Sequence, residues 1–157
     1  MEKKSAGILL FRNTSAITEV MLVHPGGPFW AKKDIGAWSI PKGEFTQDED
    51  PLTAAIREVE EETGLKLAGN FIPLEPVKQK SGKIVYAWAL AGDLNVDNIT
   101  SNLFEMIWPP KSGVKKSFPE VDKAGWFSLD VAAAKIVPGQ APLLGQLSTI
   151  LLSSAKK

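Results

Sequence analysis

The sequence predicts an α/β domain in which short strands alternate with helices. Three observations predict it. Two nearly continuous apolar runs, residues 5–12 and 18–24, have the length and composition of strands buried on both faces. A third run, residues 84–91, is rich in β-branched and aromatic residues. Apolar residues also recur at helical spacing, first at Leu52, Ala55, Ile56 and Val59, then at Leu143, Leu144, Leu147, Ile150 and Leu151. A length of 157 residues suits one domain, 1–157, around a single core.

Taken in order, the first two strands are joined by a polar turn around Asn13-Thr14-Ser15. His24 ends the second, either bonded to backbone or in contact with substrate. Residues 25–36 are dense in glycine and proline and read as a loop, yet they hold Phe29, Trp30, Lys32 and Lys33 together. Aromatics beside lysines suit a nucleobase and its phosphates; Trp30 closing the edge of the core is the competing reading. A helix follows, with Asp50 capping its first amides, Pro51 at its first position and Gly64 stopping it. Residues 66–77 suggest one strand or two short ones, and 78–83 a hairpin turn. In the strand at 84–91, Tyr86, Trp88 and Leu90 share one face, expected to be core.

Residues 92–118 carry the weakest pattern, with a short strand at 103–108 and then a lysine-bearing loop. Lys111 in that loop is a candidate phosphate contact and Trp108 a candidate base contact, against the alternative of a plain solvated loop. Residues 119–127 read as a turn into a strand. A short helix runs from Ser128 to Ala134, Pro138-Gly139 breaks the chain, a helix spans about 141–153, and Lys156-Lys157 is a tail.

Composition removes several function classes. Eighteen basic residues balance eighteen acidic ones, so neither nucleic acid nor an anionic membrane surface is an expected partner. The absence of cysteine excludes disulfides, thiolate metal sites and cysteine nucleophiles, and fits the cytoplasm. The single histidine, His24, excludes any scheme needing two. No run is long and apolar enough to cross a membrane or serve as a signal peptide, so the sequons at Asn13 and Asn98 are set aside. Composition leaves monomer and homodimer open.

The helix at 51–63 crowds Glu58, Glu61 and Glu62 onto one flank, beside its apolar face. Like charges at this spacing repel, and acids near a helix C-terminus oppose the macrodipole, at a combined cost of about 1 kcal/mol. A solvated acidic face is one explanation. A hard divalent cation between the carboxylates is the other, since it converts repulsion into binding. The neutral balance of the chain, with Glu49 ahead of the helix and Arg57 inside it, favours the cation.

The segment Gly43-x5-Glu49-x7-Arg57-Glu58-Val59-x-Glu61-Glu62-x-Gly64-Leu65 resembles the Nudix box, the loop-helix-loop signature of the Nudix hydrolases. Every fixed position of that signature is matched, over residues 43–65. The resemblance implies the Nudix fold, a mixed β-sheet sandwiched between helices. It implies Mg2+, with Mn2+ as a substitute, held by Glu58, Glu61 and Glu62, with the carbonyl of Gly43 as a further ligand. Arg57 would pair with Glu49 and hold the loop against the helix. The approach Trp38-Ser39-Ile40-Pro41-Lys42-Gly43 is similar to that of nucleotide and dinucleoside polyphosphate hydrolases, which puts Lys42 against phosphate and makes Trp38 a candidate substrate contact with Trp30 and Lys32. Glu120, a few residues before Trp126-Phe127, matches the position at which the resemblance implies an additional metal ligand or base.

Without Cys, a His pair or a Gly-x-Ser-x-Gly elbow, covalent catalysis has no evident nucleophile. Metal-assisted attack of water on phosphorus remains, with Glu58 or Glu120 as base. The substrates implied are small nucleotides: nucleoside triphosphates, oxidised ones included, or dinucleoside polyphosphates. A nucleotide-sugar or other diphosphate is the alternative, and a nucleotide-sensing domain without chemistry a more distant one.

Overall fold

The computed structural model describes residues 3–14, 16–97 and 99–155; Ser15 in the first turn, the sequon residue Asn98 and the Lys156-Lys157 tail lie outside them. Strands β1 (Lys4–Thr14) and β2 (Ile17–Pro25) form the expected antiparallel pair, Phe11 facing Val20. β6 (Ile84–Ala91) runs parallel to β1, and β9 (Val121–Ser128) lies antiparallel on β2. With β4 (Ile72–Pro73) on the outer edge the order is β4-β6-β1-β2-β9. Two short strands attach to it, β3 (Lys42–Glu44) on β1 and β5 (Val77–Lys78) on β6. The sheet is therefore mixed, as expected.

The period of two in a strand explains the continuous apolar runs. Ala6, Ile8 and Leu10 of β1 and Met21 and Val23 of β2 face α1 (Pro51–Thr63), meeting Ala54, Ala55 and Val59. Leu9, Phe11, Val20 and Leu22 face the other way, toward α2 (Leu129–Lys135) and α3 (Ala141–Ala155), meeting Ala132, Leu143 and Leu147. Helices on both faces make the strands apolar throughout. Leu90 is buried, and Tyr86 and Trp88 pack beside it as expected.

The region 92–118 differs from its reading as a strand followed by a loop. β7 (Leu103–Ile107) is paired by β8 (Lys115–Pro119), so part of the lysine-rich segment is a strand of a two-stranded ribbon outside the main sheet. Alternation in 115–119 is masked by Lys115, Lys116 and Ser117, which remain in water and carry no apolar signal. Residues 66–77 resolve into the two short strands β4 and β5.

Candidate active site

The acidic helix is held at both ends by the devices its sequence contains. Asp50 accepts hydrogen bonds from the Thr53 amide and hydroxyl, each 3.0 Å. Gly64 adopts φ 79°, a conformation costly for other residues, and its N–H reaches the Glu60 carbonyl at 2.7 Å. Burying Ala54, Ala55 and Val59 against β1 fixes the rotation of α1 about its axis. Glu58 and Glu62 are thereby turned toward β3, where the Lys42 amide donates to Glu62 at 3.2 Å. A Cβ at Gly43 would overlap the Glu58 carboxylate. Only glycine lets β3 pass this close to α1.

Arg57 does more than expected. Its Nη2 meets Glu49 at 2.7 Å, the pair read from the sequence. Its Nη1 also reaches Glu58 at 2.9 Å and Glu61 at 3.3 Å. One guanidinium spans the loop before the helix and two acids on it, drawing the flank together. The same contacts hold the Glu49 carboxyl below the usual range and raise the guanidinium further.

Glu120 arrives from elsewhere in the chain. It stands between β8 and β9, its amide bonded to Asn102 at 2.8 Å and its carbonyl to the Gly26 amide at 3.0 Å. With Glu62 and Lys42 it lines a cavity of about 110 Å³, completed by Val23, Pro25, Ser39, Ile40 and Val121. Glu120, Glu61, Glu58 and Glu62 interact across this region. Burial, then the negative charge of Glu61, raises the carboxyls of Glu58 and Glu120. Burial raises that of Glu62 to about 7, opposed chiefly by Lys42. Burial, then Lys83, lowers the Lys42 ammonium.

Among the described residues no three acids already converge as a closed metal site, and Arg57 sits between Glu58 and Glu61. The donor set nonetheless fits a hard divalent cation. It consists of carboxylate oxygens, and it carries more negative charge than Lys42 and Arg57 balance. Ligation requires Glu62 to lose its proton, so divalent cation affinity is expected to fall by up to about tenfold per pH unit below pH 7. Calorimetric Mn2+ titrations from pH 6 to 8 check this; a flat affinity across that range would exclude Glu62 as a ligand.

The other sequence candidates divide. Trp30, 39 % exposed, and Lys32 lie on the loop over residues 26–36, with the Lys33 ammonium 4.9 Å over the Trp30 ring. Lys111 is exposed in the turn of the β7–β8 ribbon and does not line the cavity. Trp38 corrects its reading as a substrate contact. It is 5 % exposed, packed edge-on against His24 and Phe127 in the core, with its indole N–H on Asp34 at 2.7 Å. A residue sealed by rings has no face for a ligand. His24 is buried, its ring nitrogens 2.6 Å from the Lys33 carbonyl and 3.0 Å from Asp122.

Two contributors escaped the sequence reading. Lys83 lies in a turn with no motif, and the pairing of both β6 and β3 with β1 brings it to Lys42. Gln140 is fully buried and accepts the Ile40 amide at 3.0 Å while donating to Gln79 at 2.9 Å. It braces the backbone leading into Lys42 and Gly43. A lone Gln carries no local signal for such a role.

The family described as the NUDIX domain matches residues 1–147 of the chain. An RNA pyrophosphohydrolase of Thioalkalivibrio sulfidiphilus is 56 % identical over 39 residues, which span 24 % of this chain and 22 % of that protein. Among solved structures, a C. elegans Ap4A hydrolase binary complex superposes with TM-score 0.63 at 23 % identity, covering 96 % of this chain and 98 % of that one. The NUDIX domain of Shewanella oneidensis NrtR complexed with ADP ribose superposes with TM-score 0.67 at 16 % identity, covering 96 % and 89 %. At these identities the structural likeness speaks to the fold.

Proposed function

The chain belongs to the Nudix family, and from that premise we propose that it hydrolyses a diphosphate linkage in a nucleoside diphosphate derivative, with Mg2+ as cofactor and water as the attacking group. The carrying observation is the gathering of Glu58, Glu61 and Glu62 from α1 with Glu120 from the β8–β9 junction, beside a cavity that Lys42 also lines. Glu58, Glu61, Glu62 and Glu120, with the Gly43 carbonyl, would hold the cation, and Mn2+ would substitute. When bound, the cation supplies charge that polarises phosphoryl oxygens and acidifies water.

The chain's own groups do the rest. Lys42 meets a phosphate oxygen at the cavity wall, where burial and Lys83 lower its ammonium and the charge of Glu62 opposes them. Arg57 keeps Glu58 and Glu61 oriented, a positioning role. Of the two candidates for accepting the proton of water, Glu58 is engaged by Arg57, whereas Glu120 opens onto the cavity; Glu120 is the better placed, and where it takes the proton Glu58, Glu61 and Glu62 hold the cation without it. The substrates fitting this arrangement are nucleoside triphosphates, oxidised ones included, and dinucleoside polyphosphates. A cysteine-free protein of this kind suits the cytoplasm, and no helix among the described residues is long and apolar enough to cross a membrane.

The test is a screen of nucleoside triphosphates, oxidised triphosphates, dinucleoside polyphosphates and nucleotide-sugars with Mg2+, products identified by mass. Cleavage within a diphosphate is the expected result. Saturable nucleotide binding with no turnover at any Mg2+ or Mn2+ concentration would replace this reading with a sensing domain.

A further inference from the structure

The ribbon β7–β8 stands beside the cavity and has no pairing with the main sheet. Its Leu103–Pro119 end is tied to the site, the Asn102 amide on the Glu61 carbonyl at 3.0 Å and the Glu120 amide on the Asn102 carbonyl at 2.8 Å. Glu120 follows β8 directly, and the Glu120 carbonyl holds the Gly26 amide. The register pairs Phe104 with Phe118 and Met106 with Lys116. Side chains alternate along a strand and opposed residues share a face, so Phe104, Met106, Trp108, Lys116 and Phe118 form one side of the ribbon. Phe104, Met106 and Trp108 are half-buried, whereas Leu103, Glu105 and Ile107 between them are exposed.

The loop over residues 26–30 covers that side. Phe104 comes so close to Gly27 that a Cβ there would stand 2.9 Å from its ring. Phe29 meets Trp108 edge to face, ring centroids 5.5 Å apart. Phe29 is nonetheless 60 % exposed and Trp30 39 % exposed. Phe29, left this far in water while its edge meets the half-buried Trp108 of a separate segment, forms with it a surface ready to take a flat apolar partner.

Its position along the ribbon limits which partner. From Leu103 and Pro119, next to Glu120, to Ile107 and Lys115 is about 14 Å at the rise of an antiparallel strand. Trp108 lies one residue beyond. A base joined through its ribose to the phosphate being cleaved lies too near that bond. A base at the far end of a longer polyphosphate reaches, and Lys116 shares the ribbon face between the two points.

We propose that Phe29 and Trp108 receive the distal nucleobase of a dinucleoside polyphosphate, with Lys116 on the intervening phosphates. This rests on the diphosphate-cleaving reading above and adds the substrate class to it. The base stacks on Trp108 and displaces the edge of Phe29, an exchange of one ring contact for a larger one.

The experiment compares diadenosine tetraphosphate with ATP as substrates of the full chain in Mg2+, for wild type, Phe29→Ala, Trp108→Ala and Trp108→Phe. Stacking losses predict a KM for diadenosine tetraphosphate raised about ten- to a hundredfold in Trp108→Ala and Phe29→Ala. The loss on ATP is at least fivefold smaller, and Trp108→Phe restores most of the difference. Equal losses on both substrates, or none on the dinucleotide, overturn the proposal; Phe29, being exposed, tests it even where Trp108→Ala folds poorly. Should wild type cleave neither compound, the hydrolytic reading is judged by the wider screen above, and calorimetry with diadenosine tetraphosphate decides the ribbon. Binding weakened in Phe29→Ala supports it; absent or unaltered binding ends it.

Discussion

Replacing Glu62 with glutamine is expected to lower Mg2+-dependent diphosphate cleavage by more than about a hundredfold while making the metal-free protein more stable at alkaline pH. The activity loss follows from removing a buried charged oxygen donor, since charge stabilisation of a phosphoryl transfer is worth several kcal/mol. The stability gain follows from linkage. The Glu62 carboxyl, ordinarily near 4.5, is raised to about 7 by burial. A raised pKa means that the folded state binds the proton more tightly than the unfolded one. Its stabilising effect is whole below about pH 4.5 and is lost as pH rises through about 7. Above that, wild type carries the cost of a buried carboxylate and the glutamine variant does not. A shift of this size is worth at most about 3 kcal/mol, and water access together with the lost attraction to Lys42 leaves about 1–2 kcal/mol. Thermal melts in EDTA at pH 5 and pH 8 read the stability half. The variant should gain a few degrees at pH 8 and little at pH 5. Activity surviving within tenfold would remove Glu62 from the metal site.

Gly43→Ala is the second large effect, and its origin is steric. The added methyl overlaps the Glu58 carboxylate. The backbone has little room to withdraw, because Gly43 is paired with Ala6 of β1. Glu58 must therefore leave its place, and with it the contact to Arg57 at 2.9 Å. Misplacing one acid by about an ångström is expected to cost about a hundredfold in kcat/KM, with about 1–3 kcal/mol of stability from overpacking. Steady-state kinetics and urea unfolding check the two figures. Wild-type turnover in the Gly43→Ala variant would show that the position of Glu58 against β3 has no bearing on the chemistry.

Much of the site was legible because its signals are local. The ends of α1 are announced by Asp50, Pro51 and Gly64, and its apolar face by residues at helical spacing; all lie within fifteen residues and act through contacts along one helix. The pair of Arg57 and Glu49 was legible for the same reason. Trp38 misled because a tryptophan beside a Pro-Lys-Gly turn looks the same in sequence whether it faces a ligand or the core. What buries it is the bridge of Ser39 to Val23 and of Trp38 to Ile136, formed by segments far apart in the chain. The ribbon strand at 115–119 was hidden by lysines, which need no burial to pair their backbone.

The sequence alone determined which side chains share the acidic helix, where that helix begins and ends, and that the strands of the sheet are covered on both faces. Period and capping act over a few residues and are written in adjacent letters. Only the tertiary structure decided that Glu120 lines one cavity with Glu62 and Lys42, that Lys83 crowds Lys42, and that Phe29 meets Trp108 across two loops. Those meetings depend on strand order and on the rotation of each element about its axis. Both are set by how the whole core packs, a property that no single stretch of the chain carries.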